Sequence, residues 1–251
     1  MKNIKVLAIG GCHIAGYGLP NQKDNFVDVL ISAVNSEEIT FEKKTQEYVA
    51  LKNFRQKTDN IHEFAPHILL IQLGNHEFTF SLKKELFSSL KLKKKKKVVR
   101  ETSADTPPAA KAGMVSRPQY LKVVVKSWFK LAFDTLVSVT EKKLQVRKAE
   151  LRQFIELLDQ LNYDIILLSP FPVLDKFDQK TRRSASKVIE HHEFRNKKIR
   201  YINTHALVPQ KRTYFQDPIH LNKEGHLRIA NKLQSVFNEL CGLHQSNTVI
   251  M

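Results

Sequence analysis

Two short runs in this chain, "ILLIQL" at residues 68–73 and "IILL" at residues 165–168, are apolar almost without a break. Neither is long enough for a buried helix, and neither alternates as a strand with one wet face does, so each reads as a strand covered on both sides. Pro66 and Gly74 bracket the first run, while Ser169, Pro170 and Pro172 close the second. Strands of this kind belong to a parallel sheet held between two layers of helix.

The rest of the chain supplies the partners such a sheet needs. "IKVLAIGG" reads as a first buried strand ended by a Gly-rich turn, and "FVDVLISAV" as the helix after it. "FEKKTQEYVAL" carries a weaker strand signal. Leu151, Phe154, Ile155, Leu158 and Leu161 recur at helical spacing ahead of the 165–168 strand. "RYINTH" reads as a last short strand and "NKEGHLRIANKLQSVFNELC" as a C-terminal helix. The expected fold class is therefore α/β, a three-layer α/β/α arrangement around a flavodoxin-like parallel sheet. With 251 residues, 42% of them hydrophobic, the whole of 1–251 fits a single domain. Ligands of such sheets collect at the carboxyl ends of the strands.

The segment at about 83–118 departs from this rhythm. It holds the lysine run Lys91, Lys93, Lys94, Lys95, Lys96 and Lys97, adjacent prolines and small residues, and reads as an exposed, mobile, basic insertion. It accounts for part of the formal charge of +16, from 41 Lys and Arg against 25 Asp and Glu. The run is either a solvated loop or a contact with an anionic surface or polymer; specific nucleic-acid recognition is not expected. The following "QYLKVVVKSWFKLAFDTLVSV" reads as a helix over the sheet or a basic amphipathic element facing a membrane surface or partner.

Two cysteines, Cys12 and Cys241, make no disulfide framework and suit a reducing compartment, so a cytoplasmic location is expected. "MKNIKVLAIGGC" has the outline of a lipoprotein signal, but its uninterrupted apolar run, residues 6–9, is shorter than a secretory core. No stretch approaches the length of a membrane-spanning helix.

"DPIHLNKEGH" carries the most chemistry. Asp217 and His220 are three residues apart, and a carboxylate so close to an imidazole accepts from one ring nitrogen and leaves the other free to act as a base. Taken alone, the pair better fits an Asp that caps a turn beside an exposed histidine. Its setting before the last helix, together with "IGGCHIAGYG" after the first strand and "IQLGNHEF" after a central one, resembles the SGNH hydrolase family, the GDSL-like esterases and lipases. Gly10, Cys12, Gly16, Tyr17 and Gly18 match the family opening, and Asn222 and Gly225 match its ending.

The resemblance implies an acyl hydrolase or acyltransferase acting on an ester of a carbohydrate, lipid or small molecule, without metal or organic cofactor. His220 would be the general base, Asp217 its orienting partner, and Cys12 would stand where the family has its nucleophilic serine. A thiol in that position is the stronger nucleophile once ionised. Cys12 remains open to two other readings, a small buried residue in a degenerate binding protein of the same fold, or a lipid attachment point. The oxyanion hole would combine the Cys12 N–H with Asn75; matching on the preceding glycine puts His76 there instead. The family's second-block glycine has no counterpart, since no glycine lies between Gly18 and Gly74, and another backbone N–H near "EYVALKN" would have to substitute. His13 adjoins Cys12 but would face away from it on an extended strand. Cys12, His13, His76 and His220 lack the closely paired spacing of a zinc site.

Overall fold

The three blocks are drawn to one edge of a parallel sheet. The computed structural model describes residues 2–36, 39–47, 50–79, 114–137 and 139–242. Among them, β1 (Lys2–Gly10), β2 (Ile39–Glu47), β3 (Ile68–Gln72), β4 (Asp164–Leu168) and β5 (Ile199–Ile202) form a sheet in the order β2-β1-β3-β4-β5. All four pairings are parallel, with Ala8 beside Leu70 and Leu70 beside Ile166 in the central register.

Alternation along the central strands divides the core in two. Ile4, Val6 and Ala8 of β1, with Ile68 and Leu70 of β3, point to one face. There they meet Phe26, Val27 and Leu30 of α1 (Phe26–Val34) and Ile229, Leu233 and Phe237 of the C-terminal helix (Lys223–Cys241). Leu7, Ile9, Leu69 and Ile71 point to the other. Their partners are Ile61 and Phe64 of α2 (Thr58–Phe64), and Leu151, Phe154, Ile155 and Leu158 of a helix at Val139–Asp159. The two apolar runs are wholly buried because both their faces are covered. β2 is mostly exposed, which is why its signal in the sequence is weak.

The remaining helices complete the numbering in chain order: α3 (Arg117–Val137), α4 (Val139–Asp159), α5 (Lys176–Glu190), α6 (Thr204–Leu207) and α7 (Lys223–Cys241). Side chains fix the starts of four, α6 through Asn203, which accepts from His205 N–H. Asn25 caps α1, Asp175 caps α5 by accepting from the Phe177 and Asp178 N–H groups, and Asn222 caps α7 by accepting from Gly225 N–H. Lys91 and Lys93 to Lys97 lie outside the described residues. Among those described, no helix is long and apolar enough to cross a membrane.

β1 lies between β2 and β3, so lipoprotein processing ahead of Cys12 would remove an interior strand of the sheet. Lipid attachment by that route would break the sheet.

Candidate active site

The strand order reverses direction between β1 and β3, the crevice where sheets of this order hold ligands. Cys12 leaves β1 on one side of that crevice. The short 3-10 helix Asn75–Phe78 leaves β3 on the other.

The backbone after β1 folds into a tight turn. Ile14 and Ala15 N–H groups both donate to the Gly11 carbonyl, at 3.1 and 3.3 Å, and Tyr17 N–H donates to the Cys12 carbonyl at 2.8 Å. Gly16 and Gly18 then adopt φ of +69° and +85°, and a Cβ on Gly16 would stand 2.4 Å from the Gln22 carbonyl. Left-handed residues stop the turn from propagating as a helix, so α1 begins only at Phe26. The turn at Cys12 is therefore not the first turn of α1.

Imidazoles flank the sulfur. His220 Nδ1 lies 2.6 Å from Asp217 Oδ2, and Asp217 Oδ1 accepts from the Ile219 and His220 N–H groups, both at 2.7 Å. One carboxylate thus shapes the loop and aims the ring. With Nδ1 occupied, the far side of the ring is left for the Cys12 side chain, to which His220 also hydrogen-bonds. Burial opposes charge on His220, yet the bonds to Asp217 and Cys12 prevail and raise its pKa to about 9. Burial likewise pushes the Asp217 carboxyl up, but its bonds and attraction to His220 hold it below the ordinary value.

His13 is fully buried and turns toward the sulfur, with Nδ1 3.6 Å from Cys12 Sγ and Nε2 accepting from Leu221 N–H at 3.3 Å. The reading that faces it away from Cys12 is overturned, because the chain there is a turn and not an extended strand. Its ring lies 5.6 Å from that of His220, centroid to centroid. Burial first, then the neighbouring His226, His220 and Arg182, push its pKa well below the usual histidine value.

Behind the site lies a buried charge cluster that sequence reasoning did not find. Lys130 Nζ reaches Asp175 Oδ2 at 2.7 Å and Asp178 Oδ2 at 2.9 Å. Arg182, one turn further along α5, donates to the Phe171 carbonyl at 2.6 Å and to Thr79 Oγ1 at 3.3 Å. Burial lowers Arg182 to about 10, against the pull of Asp178, Cys12 and Asp175. Two cations and two carboxylates cancel.

The loop after β3 is pinned from both sides. Thr181 Oγ1 donates to the Phe78 carbonyl at 2.7 Å, and Glu77 Oε1 accepts from Leu51 N–H at 2.8 Å. The Leu51 N–H, within the "EYVALKN" stretch, is thereby committed and does not supply the missing second-block donor. Asn75 and His76 sit in this loop by backbone; their side chains lie outside what the structure describes.

The architecture is the three-layer α/β/α fold of the SGNH hydrolases. It is shared with a lipolytic protein of the G-D-S-L family from Desulfitobacterium hafniense (TM-score 0.52, 13% identity, 93% of this chain and 99% of that one). It is likewise shared with the psychrotrophic esterase EstA from Pseudoalteromonas sp. (0.51, 13%, 95% and 98%) and an acetylxylan esterase from Geobacillus stearothermophilus (0.51, 13%, 97% and 97%). The sequence matches no protein-family model and no curated protein.

Proposed function

We propose that the protein is an esterase, an acyl hydrolase or acyltransferase of SGNH type, that works through a thioester on Cys12. The observation that carries this reading is the His220 ring held between Asp217, at 2.6 Å, and the Cys12 thiol. The esterases that share the fold support it.

His220 takes the thiol proton through the ring nitrogen remote from Asp217, leaving a thiolate beside an imidazolium. The thiolate attacks the ester carbonyl carbon, and the oxyanion is met by the Cys12 N–H and the Asn75 amide, with His76 second in line. As the carbonyl re-forms, His220 returns its proton to the departing alcohol and a thioester remains. A water then loses its proton to His220, attacks the thioester carbon, and the acid departs as the thiol is restored. Asp217 keeps the ring in register and stabilises its charged form. This chemistry asks nothing of a metal or organic cofactor. One oxyanion donor is worth about 3 kcal/mol of transition-state stabilisation, so the loss of the second-block donor predicts a modest rate.

The test is active-site titration with a p-nitrophenyl acyl ester, followed by intact mass. The expected result is one acyl group per chain, absent in Cys12→Ala and slow to form in His220→Ala. A folded protein that neither releases nitrophenol nor gains mass, with short and long acyl chains alike, overturns the reading and leaves a binding protein on the same fold.

A further inference from the structure

Helix α3 presents an outward face that does not belong to the core. Its inward face is fixed by Ser127, whose Oγ accepts from Lys176 N–H at 3.1 Å, and by buried Lys130 between Asp175 and Asp178. Val123 and Tyr120 pack on the same side, against the core. Rotating the helix to hide its other face would pull Lys130 from both carboxylates, so the orientation is locked. What it turns outward is Leu121, Val125, Trp128 and Phe129, at i, i+4, i+7 and i+8, with Trp128 60% and Phe129 67% exposed. A stripe with two aromatic rings and two aliphatic side chains standing in water indicates a missing partner.

The charge around the stripe narrows what that partner is. Lys122 and Lys126 are exposed along one border, and Lys176 Nζ lies 5.8 Å from the Trp128 ring centre. No acidic residue occurs between Met114 and Phe133. A second copy of a chain with formal charge +16 would set lysines against lysines on this face. An apolar stripe bordered by lysines, on a helix lying flat against its own protein, fits an anionic lipid surface, with the rings in the acyl boundary and the ammonium groups among the headgroups.

We infer that the outer face of α3 docks the protein on anionic membranes. The segment leading into α3 is tied to the loop of the site, where Val115 N–H donates to the carbonyl of Phe215, two residues before Asp217. Docking does not depend on the esterase reading and is measured without turnover.

Trp128 is the sole tryptophan, so its fluorescence reports this face alone. The full chain is mixed with vesicles of phosphatidylcholine, or of phosphatidylcholine and phosphatidylserine in equal parts. The expected result is a blue shift of Trp128 and co-sedimentation with the mixed vesicles only, with quenching by brominated acyl chains. Leu121→Gln with Phe129→Gln should abolish the shift, and Lys122→Gln and Lys126→Gln should each weaken partition roughly fivefold. Because these side chains are exposed, the variants should keep the circular dichroism and melting of the parent. Equal binding to both vesicles, no binding to either, or binding indifferent to the Leu121 and Phe129 changes overturns the inference. So does a concentration-dependent dimer that shields Trp128 in the absence of lipid, which would assign the face to a second copy.

Discussion

The Leu221 N–H donates to His13 Nε2 at 3.3 Å, a bond that favours the form of the ring with its proton on Nδ1. A neutral ring that accepts at Nε2 holds its hydrogen on Nδ1, 3.6 Å from the Cys12 sulfur. In that form His13 is a donor to the thiolate and not a second base. A hydrogen bond to a charged group is worth about 2 kcal/mol, so His13→Ala should lower the acylation rate roughly thirtyfold. His13→Asn, whose amide nitrogen can stand near Nδ1, should recover part of that. Stopped-flow acylation of both variants checks it; equal rates in His13→Ala and the parent would dismiss the donor role.

The pH profile follows from His220, whose pKa is raised to about 9. The imidazolium must be present to donate to the leaving alcohol, so kcat/KM should fall as pH rises through about 9. Asp217→Asn removes a bond that favours the charged ring and should move this limb down by more than about one unit. The same linkage acts on stability. The contribution of the raised His220 is fully present below its unfolded pKa, near 6.5, and is lost as pH rises through about 9.

Two buried histidines act in the opposite direction. His13 and His226 are held neutral by burial, His226 at about 3, while the unfolded chain protonates both near 6.5. Stability should drop as pH falls below that value, by about 2 kcal/mol for each of them at pH 5. Urea midpoints between pH 7 and 5 measure the slope. His226→Asn, which can keep an acceptor for the Phe26 N–H now bound to Nδ1 at 3.2 Å, should remove one proton's share of it.

Removing Lys130 leaves Asp175 and Asp178 buried with one cation fewer. Lys130→Met should cost about 3–5 kcal/mol in equilibrium unfolding, the penalty of breaking a buried pair from one side.

The assignment of the oxyanion donor is decided by comparing Asn75→Ala with His76→Ala. The variant that loses the donor should show kcat reduced by about a hundredfold or more, with little change in melting temperature. A pH-dependent loss confined to His76→Ala would favour the glycine-based match over the asparagine-based one.

What could be read in the sequence follows burial. β1, β3 and β4 declare themselves because both their faces are covered, and α7 because Ile229, Leu233 and Phe237 recur on one face. β2 is faint because an edge strand with Glu42, Lys43 and Lys44 in water need not be apolar. Asp217 and His220 are close in sequence and meet in space, so their pairing was visible; Cys12 joins them from the far end of the chain and was placed only by resemblance. Strand geometry misplaces His13 because β1 ends at Gly10 and the chain from Gly11 onward is a turn. Arg182 sits in "KTRRSASK", which looks like a solvated face, and only Asp178 four residues earlier hints that the helix turns charge inward.

The buried quartet of Lys130, Asp175, Asp178 and Arg182 is neutral in sum and shut away from counterions, whereas the lysines beside Trp128 stand in solvent. Salt at physiological strength screens exposed charges beyond about 8 Å and hardly touches enclosed ones. Ionic strength is thus a reagent that separates two properties of one molecule: raising it should lift the protein from an acidic surface while leaving the scaffold of the cysteine and its histidines as it was.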